Sequence, residues 1–182
     1  MKRYILTGTP GAGKTTILRG LEALGHVVVD EAATAVIARE QARGRAEPWA
    51  EQDFVDRVVA LQRQRQLRTP STDGPVFHDR SPVCTHALSV HLGRPVSAAL
   101  RAELSRITRD RVYEREVFFV RNLGFCEPTA ARRISFEESL EFERTHERSY
   151  RAFGYKLIDV PAGEPADRVA LINEAVTRRQ LL

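Results

Sequence analysis

The sequence contains little cysteine. Among its 182 residues there are two, Cys84 and Cys126, which lie far apart and lack the close spacing of a metal-binding pair. We therefore expect neither a disulfide framework nor a cysteine metal site. Both cysteines are predicted to be ordinary, partly buried side chains in a reducing cytosol.

Long apolar stretches and a leader segment are also missing. No apolar run approaches the roughly 20 residues of a membrane span, and no charged-then-apolar leader precedes the first predicted strand. The sequence therefore predicts a cytoplasmic protein with no membrane-spanning segment.

Neither sign of charge is in large excess. Lys and Arg total 28 against 24 Asp and Glu, for a net charge of +4. That excess is too small to indicate a nucleic-acid protein, although it suits an anionic small substrate. Hydrophobic residues make up 42% and charged residues 29%, which is typical of one soluble domain of ordinary size.

What the sequence does contain is a regular alternation of short apolar strands and helices. Strands are predicted at 3–8, 26–31, 76–80, 116–123 and 155–160. Helices are predicted at 14–24, about 34–43, 50–68, 82–92, 97–112, 135–153 and about 165–180. Strands separated by helices form parallel sheets covered on both faces. The prediction is one α/β domain over 1–182, a three-layer α/β/α sandwich with a five-stranded parallel sheet.

A glycine-rich stretch, GTPGAGKT, follows the first predicted strand and opens the first predicted helix. It fits G-x-x-x-x-G-K-[ST] at Gly8, Gly13, Lys14 and Thr15. The glycines let backbone N–H groups converge on phosphate oxygens, and the helix N-terminus favours negative charge. Lys14 would reach the β- and γ-phosphates, and the Thr15 hydroxyl would bind Mg²⁺. The predicted ATP-binding residues are Gly8, Thr9, Pro10, Gly11, Ala12, Gly13, Lys14, Thr15 and Thr16.

Several other classes that share this loop lack support. The sequence has no guanine-reading N-K-x-D-like motif and no D-x-x-G after a strand, which weighs against a GTPase. It is also short for an AAA+ module with a helical lid and an arginine finger.

Four further stretches occur in an informative order: VVVDEAAT, VFHDRSP, an ARR loop and SYRAFGYKLIDVP. With them the chain resembles P-loop small-molecule kinases, in particular a bacterial group of AAA-type ATPase/kinases similar to nicotinamide riboside kinase and the deoxynucleoside kinases. The resemblance covers essentially the whole chain. It implies the P-loop nucleoside triphosphate hydrolase/kinase fold and transfer of a phosphoryl group from Mg-ATP to a hydroxyl of a small molecule.

The resemblance implies a role for the carboxylates that follow the second strand. Glu31 matches the family position that orients the acceptor hydroxyl or takes its proton. Asp30 is expected to point to the opposite face and to have another role. The alternative for Glu31 is a cap of the following helix.

The stretch HDRS resembles the D/E-R-S motif that ends the third strand of nucleoside kinases. It implies that Asp79 holds Mg²⁺ together with Thr15, and that Arg80 contacts the donor phosphates or the acceptor. A surface ion pair is the alternative.

Two further sets are implied by the same likeness. Arg132 and Arg133 would act from a mobile lid around 124–134 that neutralises the transferred group, unless they only reflect a chain rich in arginine. Trp49, Phe54 and Gln62 would contact the acceptor, with flat apolar faces and an amide. Alternatively, this set belongs to the core stripe of a helix.

Two other functions stay open from the sequence. One is a regulatory switch that binds and slowly hydrolyses ATP and acts through a protein partner. The other is a nucleic-acid 5′-kinase, for which the only hint is QRQRQLR at 62–68, so nucleic acid is an unlikely partner. Either a monomer or a homodimer is compatible with the sequence.

Overall fold

The computed structural model describes residues 1–124 and 135–178. These residues form five strands, namely β1 (Arg3–Thr7), β2 (Val27–Val29), β3 (Val76–Asp79), β4 (Glu116–Val120) and β5 (Lys156–Val160). The α-helices of the described residues are α1 (Lys14–Ala23), α2 (Ala32–Gln41), α3 (Phe54–Arg68), α4 (Pro82–His91), α5 (Ala98–Arg109), α6 (Phe136–Ala152) and α7 (Pro165–Arg178). A short 3-10 turn, Pro48–Ala50, precedes α3.

The strands form one parallel sheet in the order β2-β3-β1-β4-β5. The first strand is therefore central, with β3 and β4 on either side. In open parallel sheets, ligands bind outside the carboxyl ends of the strands where the order reverses. This topology confirms the predicted fold class and places the glycine-rich loop, which leaves β1, at that position.

Helices cover both faces of the sheet because alternate strand residues point in opposite directions. On β1, Tyr4 and Leu6 are buried with apolar residues of α1 and α7. Ile5 is buried on the other face, with residues of α3, α4 and α5. The result is the three-layer arrangement expected from the sequence.

The structure corrects several predicted boundaries near the site. β2 ends at Val29, so Asp30 and Glu31 follow the strand, and α2 begins at Ala32. Among the described strands, β2 lies at an edge of the sheet and pairs with β3 alone, which limits its length. The helix predicted from residue 50 begins at Phe54, because Glu51 has an extended backbone after the 3-10 turn.

Within the described part of the chain, no helix is long and apolar enough to cross a membrane. The predicted lid lies outside the described residues except for Gly124, and so do Arg132 and Arg133. Their role stays a prediction.

Candidate active site

The glycine-rich loop leaves β1 at a position that only glycine can occupy. Gly8 has φ 135°, and a Cβ atom there would lie 2.2 Å from the carbonyl oxygen of Val120 on β4. The loop ends at Gly13, which is the N-cap of α1 and has a left-handed φ of 84°. Glycine is needed at both positions because an L side chain is strained at positive φ.

Lys14 extends its ammonium group back into this loop. Its Nζ donates to the carbonyl oxygens of Thr9 at 2.7 Å and Gly8 at 3.1 Å, and the residue is only 7% exposed. Burial, followed by the nearby charge of Arg80, lowers the pKa of Lys14 from 10.5 to about 8. The loop thus holds a poorly solvated cation that a phosphate group would stabilise.

Glu31 and Arg80 form a close ion pair at the ends of β2 and β3. Arg80 Nε lies 2.7 Å from Glu31 Oε1, and the hydroxyl of Thr34 donates to Glu31 Oε2 at 2.7 Å. Burial raises the pKa of Glu31, but Arg80, Lys14 and Thr34 outweigh that effect, so its pKa is lower than usual. Glu31 is therefore ionised at neutral pH.

The two adjacent carboxylates have different surroundings. The side chain of Asp30 is 61% exposed and pairs with Arg19 at 2.9 Å. Glu31 stands at the N-cap position of α2, yet its side chain makes no capping hydrogen bond. Arg65 donates to the backbone carbonyls of both residues at 2.7 and 2.8 Å, which fixes the chain where it leaves β2.

Arg80 lies inside the site and not on the surface. Its side chain is 11% exposed, and its backbone has an unusual left-handed φ of 69°. Burial lowers the pKa of Arg80, but Glu31, Cys84 and Asp79 raise it by more. The pKa is therefore above its ordinary value, and the guanidinium stays charged. A strained backbone at a buried charged residue is typical of a functional site.

Asp79 precedes Arg80 and is 8% exposed. Its Oδ1 atom is buried without a hydrogen-bond partner in the described part of the chain. Burial raises the pKa of Asp79, so a cation at this oxygen would relieve the cost of its charge. Together with the Thr15 hydroxyl, it provides the hard oxygen donors that Mg²⁺ prefers.

The charged and hydroxyl groups of the loop and of the ends of β2 and β3 border one cavity of about 510 Å³, although Asp30 does not. Its polar end contains Lys14, Thr15, Glu31, Asp79 and Arg80. Its apolar end contains Ile37, Trp49, Phe54, Val58, Leu88 and Phe142. The cavity thus joins the glycine-rich loop to a compartment suited to an apolar or aromatic group.

Comparison with known proteins agrees with this geometry. A family model described as an AAA domain matches residues 3–168. The chain belongs to the AAA domain family. No curated protein sequence gives a significant match.

Solved structures similar to this AAA domain include several kinases. NadR in complex with NR has a TM-score of 0.64 and 20% identity, over 87% of this chain and 43% of NadR. Shikimate kinase from Acinetobacter baumannii, in complex with shikimate, has a TM-score of 0.60 and 18% identity, over 100% of this chain and 96% of the kinase. Deoxyadenosine kinase from M. mycoides with bound dCTP has a TM-score of 0.64 and 14% identity, over 98% of this chain and 100% of the kinase.

These TM-scores show that the AAA domain shares the fold of P-loop small-molecule kinases, and identities of 20% or less show no more than the fold. The chain spans less than half the length of the NadR chain in its complex with NR. A second NadR structure, with NAD and AMP-PNP, has a TM-score of 0.67 and 19% identity, over 95% of this chain and 49% of that one.

The three residues of the AAA domain that were predicted to contact the acceptor, Trp49, Phe54 and Gln62, all line the cavity. Phe54 also belongs to the core with Val36 and Val58, as the core interpretation predicted, and its contact with an acceptor stays a prediction. Gln62 lines the cavity, and its Oε1 accepts from the Thr85 hydroxyl at 3.0 Å. Sequence reasoning did not identify Thr85, which follows the D-R-S stretch by four residues.

Arg168 of the AAA domain is a further residue that the sequence did not indicate. It lies on α7, is 4% exposed, and donates to the carbonyl oxygens of Ala12 at 2.7 Å and Arg121 at 2.9 Å. Burial lowers its pKa. A buried arginine behind the glycine-rich loop anchors a loop carbonyl and adds positive charge near the loop.

Arg121 stabilises the fold at the end of β4. It pairs with Asp159 at 2.7 Å and Glu143 at 3.1 Å, and also contacts Glu147. These carboxylates already compensate the charge of Arg121, so its position is explained without a contact to a phosphate group.

Proposed function

We propose that this protein is an ATP-dependent phosphotransferase that moves the γ-phosphoryl group of Mg-ATP to a hydroxyl group of a small molecule. The observation that carries the proposal is one cavity whose wall contains Lys14 and Thr15 of the glycine-rich loop, Glu31 and the apolar compartment. An acceptor in that compartment would present its hydroxyl to Glu31 and to the end of the triphosphate.

The donor would bind on the loop. Backbone N–H groups from Gly8 to Thr16 and the Lys14 ammonium would hold the phosphates. Thr15 and Asp79 would hold Mg²⁺, which neutralises charge on the phosphate oxygens when bound. The AMP-PNP bound to NadR, a structure of the same fold, supports ATP as donor.

The acceptor oxygen would attack the γ-phosphorus in line, and the bond to the bridging oxygen would break, releasing ADP. Glu31 accepts the hydroxyl hydrogen bond and finally the proton. Its lowered pKa favours orientation of the hydroxyl and late proton transfer, which suits a loose transition state. Arg80 would stabilise charge on the transferred group.

The apolar wall and the Gln62 amide suit an acceptor with a ring and a polar edge. A nucleoside-like compound fits this description, and so do other hydroxylated metabolites. Shikimate and NR, which occupy similar structures, are natural first candidates for testing.

The test is ADP release from Mg-ATP, alone and with a panel of nucleosides, nicotinamide riboside, shikimate and hydroxylated antibiotics. We expect one compound to stimulate the rate strongly. Glu31→Gln should reduce the stimulated rate by about 10²- to 10⁴-fold.

Asp30→Asn is the matched control, because it changes the adjacent carboxylate, which is exposed and paired with Arg19. It should retain the stimulated rate. A slow rate that no compound increases and that Glu31→Gln leaves unchanged would refute the proposal and favour a regulatory ATP-binding switch.

A further inference from the structure

His146 is a fully buried side chain that contacts Arg80 but was not identified from the sequence. It lies on α6 with 0% exposure. Its Nδ1 is 2.9 Å from the carbonyl oxygen of Phe142, and its Nε2 is 3.1 Å from Arg80 Nη1. The ring thus connects α6 to the end of β3.

The two partners determine where the ring carries its proton. A carbonyl oxygen only accepts hydrogen bonds, so Nδ1 must carry the hydrogen that it donates to Phe142. A guanidinium only donates, so Nε2 must accept from Arg80. The pattern requires a neutral ring protonated at Nδ1. Burial, followed by the charge of Arg80, holds the pKa of His146 well below its ordinary value, in agreement with a neutral ring.

Two different nitrogens of Arg80 therefore lie against two different partners. Nη1 shares a hydrogen bond with His146, whereas Nε lies 2.7 Å from Glu31 in an ion pair that lacks hydrogen-bond geometry. Because a guanidinium is planar, two such contacts fix its orientation. Glu31 compensates part of its charge, whereas the neutral ring of His146 orients the group and compensates none.

We propose that His146 is a positioning residue for phosphoryl transfer, which holds the Arg80 guanidinium beside Glu31 as a neutral hydrogen-bond acceptor. A carboxylate in place of His146 would also orient Arg80, but it would neutralise the positive charge of Arg80 that stabilises the transferred phosphoryl group. The inference rests on the proposed function, since it assigns Arg80 a role on the phosphoryl group.

The first test is a double-mutant cycle on the stimulated rate. His146→Leu should lower kcat by about 10- to 100-fold with little change in the KM for ATP. His146→Gln, whose amide oxygen can accept from Arg80, should recover part of that loss. In an Arg80→Met background, His146→Leu should change kcat by less than about 3-fold, because its effect passes through Arg80.

His86→Leu is the matched control, since His86 contacts Ser149 and Phe153 and not Arg80. It should keep kcat near that of the natural chain. An equal loss from His146→Leu with and without Arg80 would show a general packing effect and overturn the inference.

The second test needs no substrate. Long-range ¹H–¹⁵N spectra of the natural chain should show a neutral His146 ring with the proton on Nδ1, and Arg80→Met should shift the Nε2 resonance. A ring protonated at Nε2 would overturn the inference even in an active kinase. The expected spectra together with no transfer to any acceptor would instead refute the proposed function.

Discussion

Lys14 should make the stability of the protein depend on pH in a direction that is unusual for a lysine. Its ammonium is buried, and its pKa falls from 10.5 to about 8. The folded protein therefore binds fewer protons than the unfolded chain between these two values. Since stability rises with pH wherever the unfolded state binds more protons, the cost of burying the charged Lys14 is fully present below about pH 8. It is relieved as the pH rises toward 10.5.

The magnitude follows from the two pKa values. The difference between a pKa of 10.5 and one of about 8 corresponds to about 3 kcal/mol when the whole range is crossed. Over the accessible range from about pH 7 to about pH 9.5, the linkage relation gives a gain of about 2 kcal/mol. That gain belongs to Lys14 alone and should be missing from Lys14→Met.

The assay is urea unfolding of the natural chain and of Lys14→Met at several pH values in that range. The difference in free energy of unfolding between the two should shift by about 2 kcal/mol in favour of the natural chain as the pH rises. This comparison cancels the titrating groups that do not interact with Lys14, and the hydrogen bonds from Lys14 to Gly8 and Thr9 contribute mainly to the difference at a single pH. Lys156→Met, which removes a lysine whose side chain is 72% exposed, controls for the loss of one charge. A difference that stays constant with pH would refute the desolvation of Lys14.

Three further outcomes are expected. Gly8→Ala should destabilise the protein by more than about 1 kcal/mol in urea unfolding, because its Cβ would overlap a carbonyl oxygen of β4. Gly163→Ala, which meets no atom within 4 Å, should stay within about 0.5 kcal/mol, and equal effects would contradict the steric reasoning. Asp79→Asn should weaken ATP binding in calorimetry by about tenfold with Mg²⁺ and much less with EDTA; an equal loss in both would argue against a metal role. Arg168→Met should weaken ADP binding and lower the melting temperature, because Arg168 holds the loop carbonyl of Ala12. Arg178 is exposed on the same helix, so Arg178→Met should do neither. Unchanged ADP affinity in Arg168→Met would rule out the loop-anchoring role of Arg168.

The fold and the polar end of the cavity could be predicted because their signals are local. The glycine-rich loop is contained in eight consecutive residues between a strand and a helix. Asp79 ends β3, and Arg80 and Glu31 follow the ends of β3 and β2, so the topology alone brings them to the same edge of the sheet. The short β2 was not predictable in this way, because its length depends on pairing at one edge only.

The residues behind the site could not be predicted because they act through tertiary contacts. Arg168 is one of many arginines, and no local pattern distinguishes it from those on the surface. His146 follows Phe142 by four residues on α6, which indicates a buried helix face but not its contact with Arg80. The hydrogen bond from Thr85 to Gln62 likewise joins two helices whose packing the sequence does not specify.

The supports of the glycine-rich loop also determine when the loop can form during synthesis. Gly8 packs against Val120, and Ala12 is held by Arg168, which lies 156 residues later in the chain. At about 5–20 residues per second, that separation corresponds to roughly 8–30 s of translation. The nascent chain therefore presents the complete loop sequence long before Arg168 can hold it. If the proposed function is correct, ATP would stabilise the loop only after Arg168 has been synthesised.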